Sequence, residues 1–221
     1  MSLASERKEQ RQKLAGKPLK EKIKYFFYYE GLKVAFFSFI GVLVIWFAVT
    51  MITKKDPVLT ITFLNATNSY DAEQFTTDFI TEAGFNPKKE TIQLDVSSYI
   101  DFQVQDDSSV VSQQRLTAQV VYGTLDCVVA NEELVHYLYA SNYLRDLRQI
   151  LSEEEIKKYE ACFYYMEAED KTQIPIAVAL DESVRMDDYH FYQNQELFFT
   201  FIESAKDYEN SVKMLEFLTT D

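Results

Sequence analysis

From Val34 to Ile52 the chain runs for nineteen residues, VAFFSFIGVLVIWFAVTMI, without a charge or a proline. Beyond Lys55 apolar positions come instead in short bursts separated by polar turns. A helix rises about 1.5 Å per residue, so the first run spans roughly the hydrocarbon thickness of a bilayer and predicts a transmembrane helix. After Pro57 the pattern changes period. VLTITFL (58–64) is apolar or β-branched at nearly every position, which predicts a strand covered on both faces. Next comes a helix with Phe75, Phe79, Ile80 and Ala83 on one side, opened by Asp71 and Gln74 as a capping box and closed by Gly84 and Asn86-Pro87.

TIQLDVS (91–97) predicts a second strand, and Asp106, Asp107 and Ser108 cap a helix that carries Leu116 and Val120 to Gly123. LDCVVA (125–130) predicts a third strand, followed by a helix from Asn131 with Leu134, Val135 and Leu138 inward. Ser152 and Glu155 form a further capping box. CFYYMEA (162–168), IPIAVAL (174–180) and ELFFTFI (196–202) are strand-like; the first two are joined by a turn short enough for a hairpin. Val212, Leu215 and Leu218 mark one face of a closing helix. Strands alternating with helices argue for βαβ units. The fold class expected is therefore α/β: a single N-terminal transmembrane helix, then one mostly parallel, helix-covered sheet of about five strands. The divisions are a basic tail (1–33), the membrane helix (34–52), a linker (53–57) and an α/β domain (58–221).

Charge orients this arrangement. Residues 1–33 hold nine Lys/Arg against four Asp/Glu, net +5, while residues 56–221 hold eleven against thirty-one, net −20. Cytoplasmic flanks collect Lys and Arg, so Lys17, Lys20, Lys22, Lys24 and Lys33 predict an N-terminus inside and a C-terminal domain on the extracytoplasmic side of the cell membrane. Tyr25 to Tyr29 and Trp46 fall where aromatic rings favour headgroups. A signal peptide has a shorter apolar core ending in small residues, which Ala48 and Thr50 imitate poorly, so an uncleaved anchor is expected. A domain this acidic is repelled by phosphate backbones, which excludes nucleic acid as a partner.

Candidate chemistry is sparse. The outer domain has two glycines, Gly84 and Gly123, too few for a phosphate-cradling loop. His136 and His190 lack zinc-ligand spacing, His136 being expected as partly buried structure on a helix and His190 in a loop. Cys127 and Cys162 lie in apolar runs and are expected as buried thiols, with one disulfide between them as the lesser reading. No cofactor and no metal is expected. The acidic group Asp181, Glu182, Asp187 and Asp188 lacks an ordered calcium loop and reads as solvated surface. Among thirty-one carboxylates close pairs arise by chance, so none identifies a hydrolase.

In open α/β sheets ligands meet the loops at the carboxyl ends of the strands. That rule selects Asn65, Thr67, Asn68, Ser69 and Tyr70 after the first strand, Ser97, Ser98 and Tyr99 after the second, and Asn131 after the third. The competing reading makes these residues turns and helix caps, which every such loop needs. Tyr189, Phe191 and Tyr192, in the segment DDYHFY, read as exposed rings on a protein-contact loop.

The stretch from Ser112 to Tyr159, with Gly123, Asp126, Leu144, Asp146 and Leu147, resembles the first lobe of extracellular solute-binding proteins of the type II periplasmic-binding fold. IPIAVAL resembles the strand leading toward their second lobe, and residues 198–218 resemble their closing helix. The resemblance implies solute capture between two lobes. Only fifteen residues separate Leu180 from Glu196, so one lobe is missing and a partner chain would have to supply the other wall. The expected function is accordingly a non-enzymatic recognition or accessory domain, anchored in the bilayer and working with a protein partner in an envelope or transport assembly. The alternative is a receptor for a small solute (sugar, amino acid or peptide) that completes its cleft with another chain.

Overall fold

A computed structural model of the protein describes residues 18–67, 71–104, 106–168, 170–180, 184–193, 195–206 and 208–220. The chain divides into two units, Met1–Lys54 and Lys55–Asp221. The first contains helix α1 (Leu19–Thr53), of 35 residues, beginning after Pro18. It carries the apolar window Gly31–Met51, long and apolar enough to cross a membrane and with none of its surface buried. The helix extends well upstream of the apolar run, through a stretch in which Lys20 and Lys24 are exposed.

Among its described residues the second unit contains six strands: β1 (Asp56–Phe63), β2 (Glu90–Asp95), β3 (Cys127–Ala130), β4 (Phe163–Glu167), β5 (Gln173–Ala179) and β6 (Phe198–Phe201). Its helices are α2 (Ala72–Glu82), α3 (Asp107–Val121), α4 (Glu132–Ala140), α5 (Glu153–Tyr159), α6 (Val184–Asp188) and α7 (Glu209–Thr219). The strands form one sheet in the order β2-β1-β3-β6-β5-β4.

This corrects the expectation of a mostly parallel sheet of about five strands. β2-β1-β3 is parallel, but β6 runs antiparallel to both β3 and β5, and β4 pairs antiparallel with β5. The β4–β5 hairpin closes through Ala168 and Lys171, with Lys171 in the left-handed region at φ 65. Burial on both faces gives a strand the same apolar signature whichever way it runs, so the pattern could not distinguish the insertion of β6.

Alternation along each strand sorts the core into two layers. Cys127, Val129, Phe199 and Phe201 join Phe63, Phe75, Phe79, Phe217, Met214 and Leu215 on the face covered by α2 and α7. Val128, Ala130, Ala177 and Phe198 join Leu116, Val120, Leu134, Val135 and Leu138 on the face covered by α3 and α4. Caps behave mostly as their residue types dictate. Asp106 accepts from the Ser109 N–H, Asn131 from the Leu134 N–H, and Ser152 with Glu155 makes a complete capping box. Asp71, expected to open α2 with its side chain, makes no cap bond. Gly84 takes φ 77 after α2, where a side chain would strain the backbone.

The residues that carry the family resemblance have evident packing duties. Gly123 sits at φ 60, and a Cβ there would lie 3.0 Å from the Ser204 carbonyl oxygen. The Asp126 carboxylate accepts the Thr60 N–H at 2.8 Å, Asp146 caps a short 3-10 turn by accepting from the Arg148 N–H, and Leu147 is fully buried.

Candidate functional site

The order β2-β1-β3 places a topological switch between β1 and β3, and the carboxyl ends of these strands are where a ligand would be expected. The chain fills that crevice itself. The Tyr192 hydroxyl donates to the Leu64 carbonyl at 3.0 Å and lies 3.3 Å from that of Val129, tying β1 to β3 at the edge. Burial pushes its phenol pKa well above the usual value. Thr67 donates both its N–H and its hydroxyl to the Phe191 carbonyl, at 2.8 and 3.1 Å.

The expectation of an exposed, protein-contacting Tyr189, Phe191 and Tyr192 is thereby corrected. Their exposures are 8%, 0% and 9%. The rings pack against Phe63 and Phe75, and the Tyr189 hydroxyl donates to Asp78 at 2.6 Å. The apolar pattern alone could not tell an exposed aromatic loop from a plug that returns to the core. Removing only the hydroxyl, Tyr192→Phe, is expected to cost about 1–3 kcal/mol, because the buried Leu64 carbonyl loses this donor while that of Val129 keeps the Leu64 N–H. Denaturant unfolding of the variant would show a midpoint shift at unchanged slope.

The other predicted residues fall into place mainly as caps and braces. Asn65, left-handed at φ 59, accepts the Ile100 N–H on its side chain at 2.7 Å and donates to the Ile100 carbonyl at 2.9 Å. It thus pins the segment after β2. Ser97 and Ser98 both donate to Asp95, each at 2.7 Å, and Arg115 reaches the same carboxylate at 3.2 Å. Burial pushes the Asp95 carboxyl up, but the bonds from Ser98 and Ser97 and the charge of Arg115 outweigh it and hold the group below its ordinary value. Tyr99 is 47% exposed, and its N–H donates to the Ser112 hydroxyl. Asn131 serves as the α4 cap. Asn68, Ser69 and Tyr70 lie outside the described residues, as do Asp181 and Glu182 of the acidic group. Among the described residues no cluster of His, Cys, Asp and Glu is placed to hold a metal.

An open cavity of about 680 Å³ lies at the same edge, over the antiparallel half of the sheet. It is bounded by Glu132 at the start of α4, Lys158 and Tyr159 at the end of α5, Cys162, Phe163 and Tyr164 at the start of β4, Leu180 after β5, and Glu196 and Phe198 leading into β6. β6 and β5 put these ends together: Ala130 pairs with Phe198, and Phe198 with Ala179. On its rim the Tyr164 hydroxyl donates to Glu132 at 2.6 Å and lies 2.8 Å from His136 Nε2. The single phenolic proton goes to Glu132, so His136 must present an N–H at Nε2.

Burial first, then the bond to and charge of Glu132, push the Tyr164 pKa up to about 12. A phenol held neutral in this way offers a hydrogen-bonding surface and makes a poor base near neutral pH. His136 is exposed, which corrects the expectation of a partly buried ring, and His190 is exposed as well. The Glu132–His136 spacing on one helix face was visible in the sequence; Tyr164 joins the pair only through strand pairing.

Both cysteines are free; Cys127 is buried and Cys162 exposed beside the cavity. This corrects the expectation of two buried thiols. Burial, then the charge of Asp126, push the Cys127 thiol well above its usual range. A maleimide is therefore expected to modify one thiol in the native protein, Cys162, and a second only on unfolding, as intact mass would show.

No family model, no curated protein and no solved structure matches this chain.

Proposed function

We propose that the protein is a single-pass membrane protein whose α/β domain acts on the extracytoplasmic side as a non-enzymatic recognition module. Its binding surface is the cavity at the carboxyl edge of the antiparallel half of the sheet. The observation that carries this reading is the division of that edge. The crevice between β1 and β3 is filled by Tyr192, whereas the cavity beside it stays open and presents Glu132, Tyr164, Lys158 and Glu196 around an apolar floor of Phe163, Leu180 and Phe198. Strand β4 borders the cavity at one end of the sheet order, so a partner's segment can meet both the cavity and an edge strand. The likeness to one lobe of a solute-binding protein supports the same assignment by analogy.

A second reading, a small-solute receptor, is favoured by the cavity's volume, which falls in the range of small-ligand sites. The native Cys162 thiol supplies the test. A thiol-directed photocrosslinker on Cys162 in membranes should capture a defined protein partner, and Phe198→Ala or Glu132→Lys should abolish capture. Failure to capture one, together with thermal stabilisation of the full chain by sugars, amino acids or peptides, would instead support the receptor. A ligand at a hundred times its Kd adds about 2.7 kcal/mol.

A further inference from the structure

Strand β4 ends the sheet order, with β5 alone beside it. An edge strand carries backbone groups that no neighbouring strand takes up. Antiparallel pairs alternate between residues that exchange both hydrogen bonds and residues that exchange none. The hairpin sets that alternation. The Ala168 N–H donates to the Thr172 carbonyl at 2.9 Å, after which Glu167 faces Gln173, Met166 faces Ile174 and Tyr165 faces Pro175. Glu167 and Tyr165 thus fall at the non-bonded positions, and Pro175 has no N–H to offer Tyr165. Both residues direct their N–H and C=O outward, and both are exposed. The strand, FYYME, holds no lysine or proline, residues that commonly block pairing at an edge.

Phe163 and Tyr164, at the start of the same strand, line the cavity, whose charged residues are Glu132, Glu196 and Lys158. Lys158 is already engaged: its Nζ lies 3.3 Å from Glu216 and 5.0 Å from the centroid of the Tyr159 ring. Glu132 accepts the Tyr164 hydroxyl on Oε1, and His136 Nε2 lies 3.9 Å from the same oxygen. Among the described residues its Oε2 has no hydrogen-bond partner, and Glu196, which is exposed, forms no ion pair. Of the cations near β4, Arg148 is held by Asp146 at 2.7 Å, and Lys171 lies in the turn at the other end of the strand. The cavity therefore offers two carboxylates with room for a cation, above the apolar floor of Phe163, Leu180 and Phe198.

We propose that β4 takes an extended, basic segment of the partner protein as an added strand, and that a lysine or arginine of that segment enters the cavity. This rests on the cavity being a recognition surface. Main-chain bonds to Tyr165 and Glu167 supply affinity that is indifferent to sequence, and the pocket supplies the selectivity. A long cationic side chain suits the pocket because its stem covers apolar surface while its charge reaches the carboxylates, where hydrogen bonds are charge-assisted. The β4 strand of a second copy does not meet this requirement. FYYME brings a carboxylate and no cation to the site.

Fluorescence anisotropy of labelled, end-blocked heptapeptides reads the outcome, with the full chain in neutral maltoside micelles. The peptides alternate threonine and valine and differ only at the central position, which is lysine, arginine, glutamine or glutamate. The lysine and arginine peptides are expected to bind about tenfold more tightly than the glutamine peptide, and the glutamate peptide more weakly still. Glu132→Gln with Glu196→Gln should erase that preference, and its melting curve checks that the fold is kept. N-methylating one of the two alternate sets of peptide amides should abolish binding, whereas methylating the other set should leave it intact. Equal binding of all four peptides, a basic preference that survives the glutamine substitutions, indifference to N-methylation, or binding by none of the peptides would each overturn the proposal. Capture of a partner through Cys162 is measured separately, so the recognition reading can survive any of these results.

Discussion

Replacing Val42 and Ile45 together by arginine is expected to move the protein out of the membrane fraction. Both residues lie near the middle of the apolar window Gly31–Met51, where none of the helix surface is buried by the protein itself. An arginine at the centre of a membrane helix opposes insertion by about 2.5–3.5 kcal/mol, so two oppose it by about 5–7 kcal/mol. The apolar stretch leaves little length for both side chains to reach the interface. Val42→Leu with Ile45→Leu keeps the hydropathy and should behave as the parent does. Flotation after alkaline extraction reads the outcome, and retention of the double arginine chain in the carbonate-resistant pellet would count against a lipid-embedded helix.

Phe63→Ala is expected to be the most damaging single truncation in the folded domain. Phe63 is fully buried on β1, with the rings of Phe191, Phe75 and Tyr192 at centroid distances of 5.0, 5.4 and 6.2 Å. The truncation removes the ring that joins the sheet to α2 and to the plug over the switch point. Phe→Ala in a packed core costs about 3–5 kcal/mol, against a total stability of about 5–15 kcal/mol for a domain. Denaturant unfolding should show the full loss. The Cys127 thiol, buried in the same layer, should then become reactive at much lower denaturant. An exposed apolar residue such as Val121 should lose less than about 0.5 kcal/mol on truncation to alanine. Comparable losses at the two positions would mean that the aromatic cluster is not the centre of the core.

What the sequence made legible was whatever local periodicity and capping chemistry encode. The apolar run, the strands and the longer helices of the α/β domain, the Asn131 and Asp106 caps and the Ser152–Glu155 box all depend on residues within a few positions of one another. Strand direction does not. β6 slots antiparallel between β3 and β5, and residues 198–201 are buried on both faces as a parallel strand would be. The same limit governed the site. Asn65 was selected by its place after β1, but its amide is committed to Ile100, thirty-five residues on. Tyr192 looked like a surface ring because the two carbonyls it bridges, at Leu64 and Val129, are more than sixty residues away in the chain. The cavity residues Glu132, Tyr164 and Phe198 come from three distant segments, and only the register of β3, β6, β5 and β4 assembles them.

The central claim is that a folded, acidic domain is held by one apolar helix on the far side of the membrane from a basic N-terminus. Protease treatment of intact cells, followed by detection with separate tags at the two ends, tests it most directly. The account predicts that the C-terminal tag is lost from intact cells while the N-terminal tag survives on a short membrane-embedded fragment, cleaved only after permeabilisation. A C-terminal tag protected until the membrane is opened, or recovered in the medium on a chain lacking residues 1–52, would contradict it.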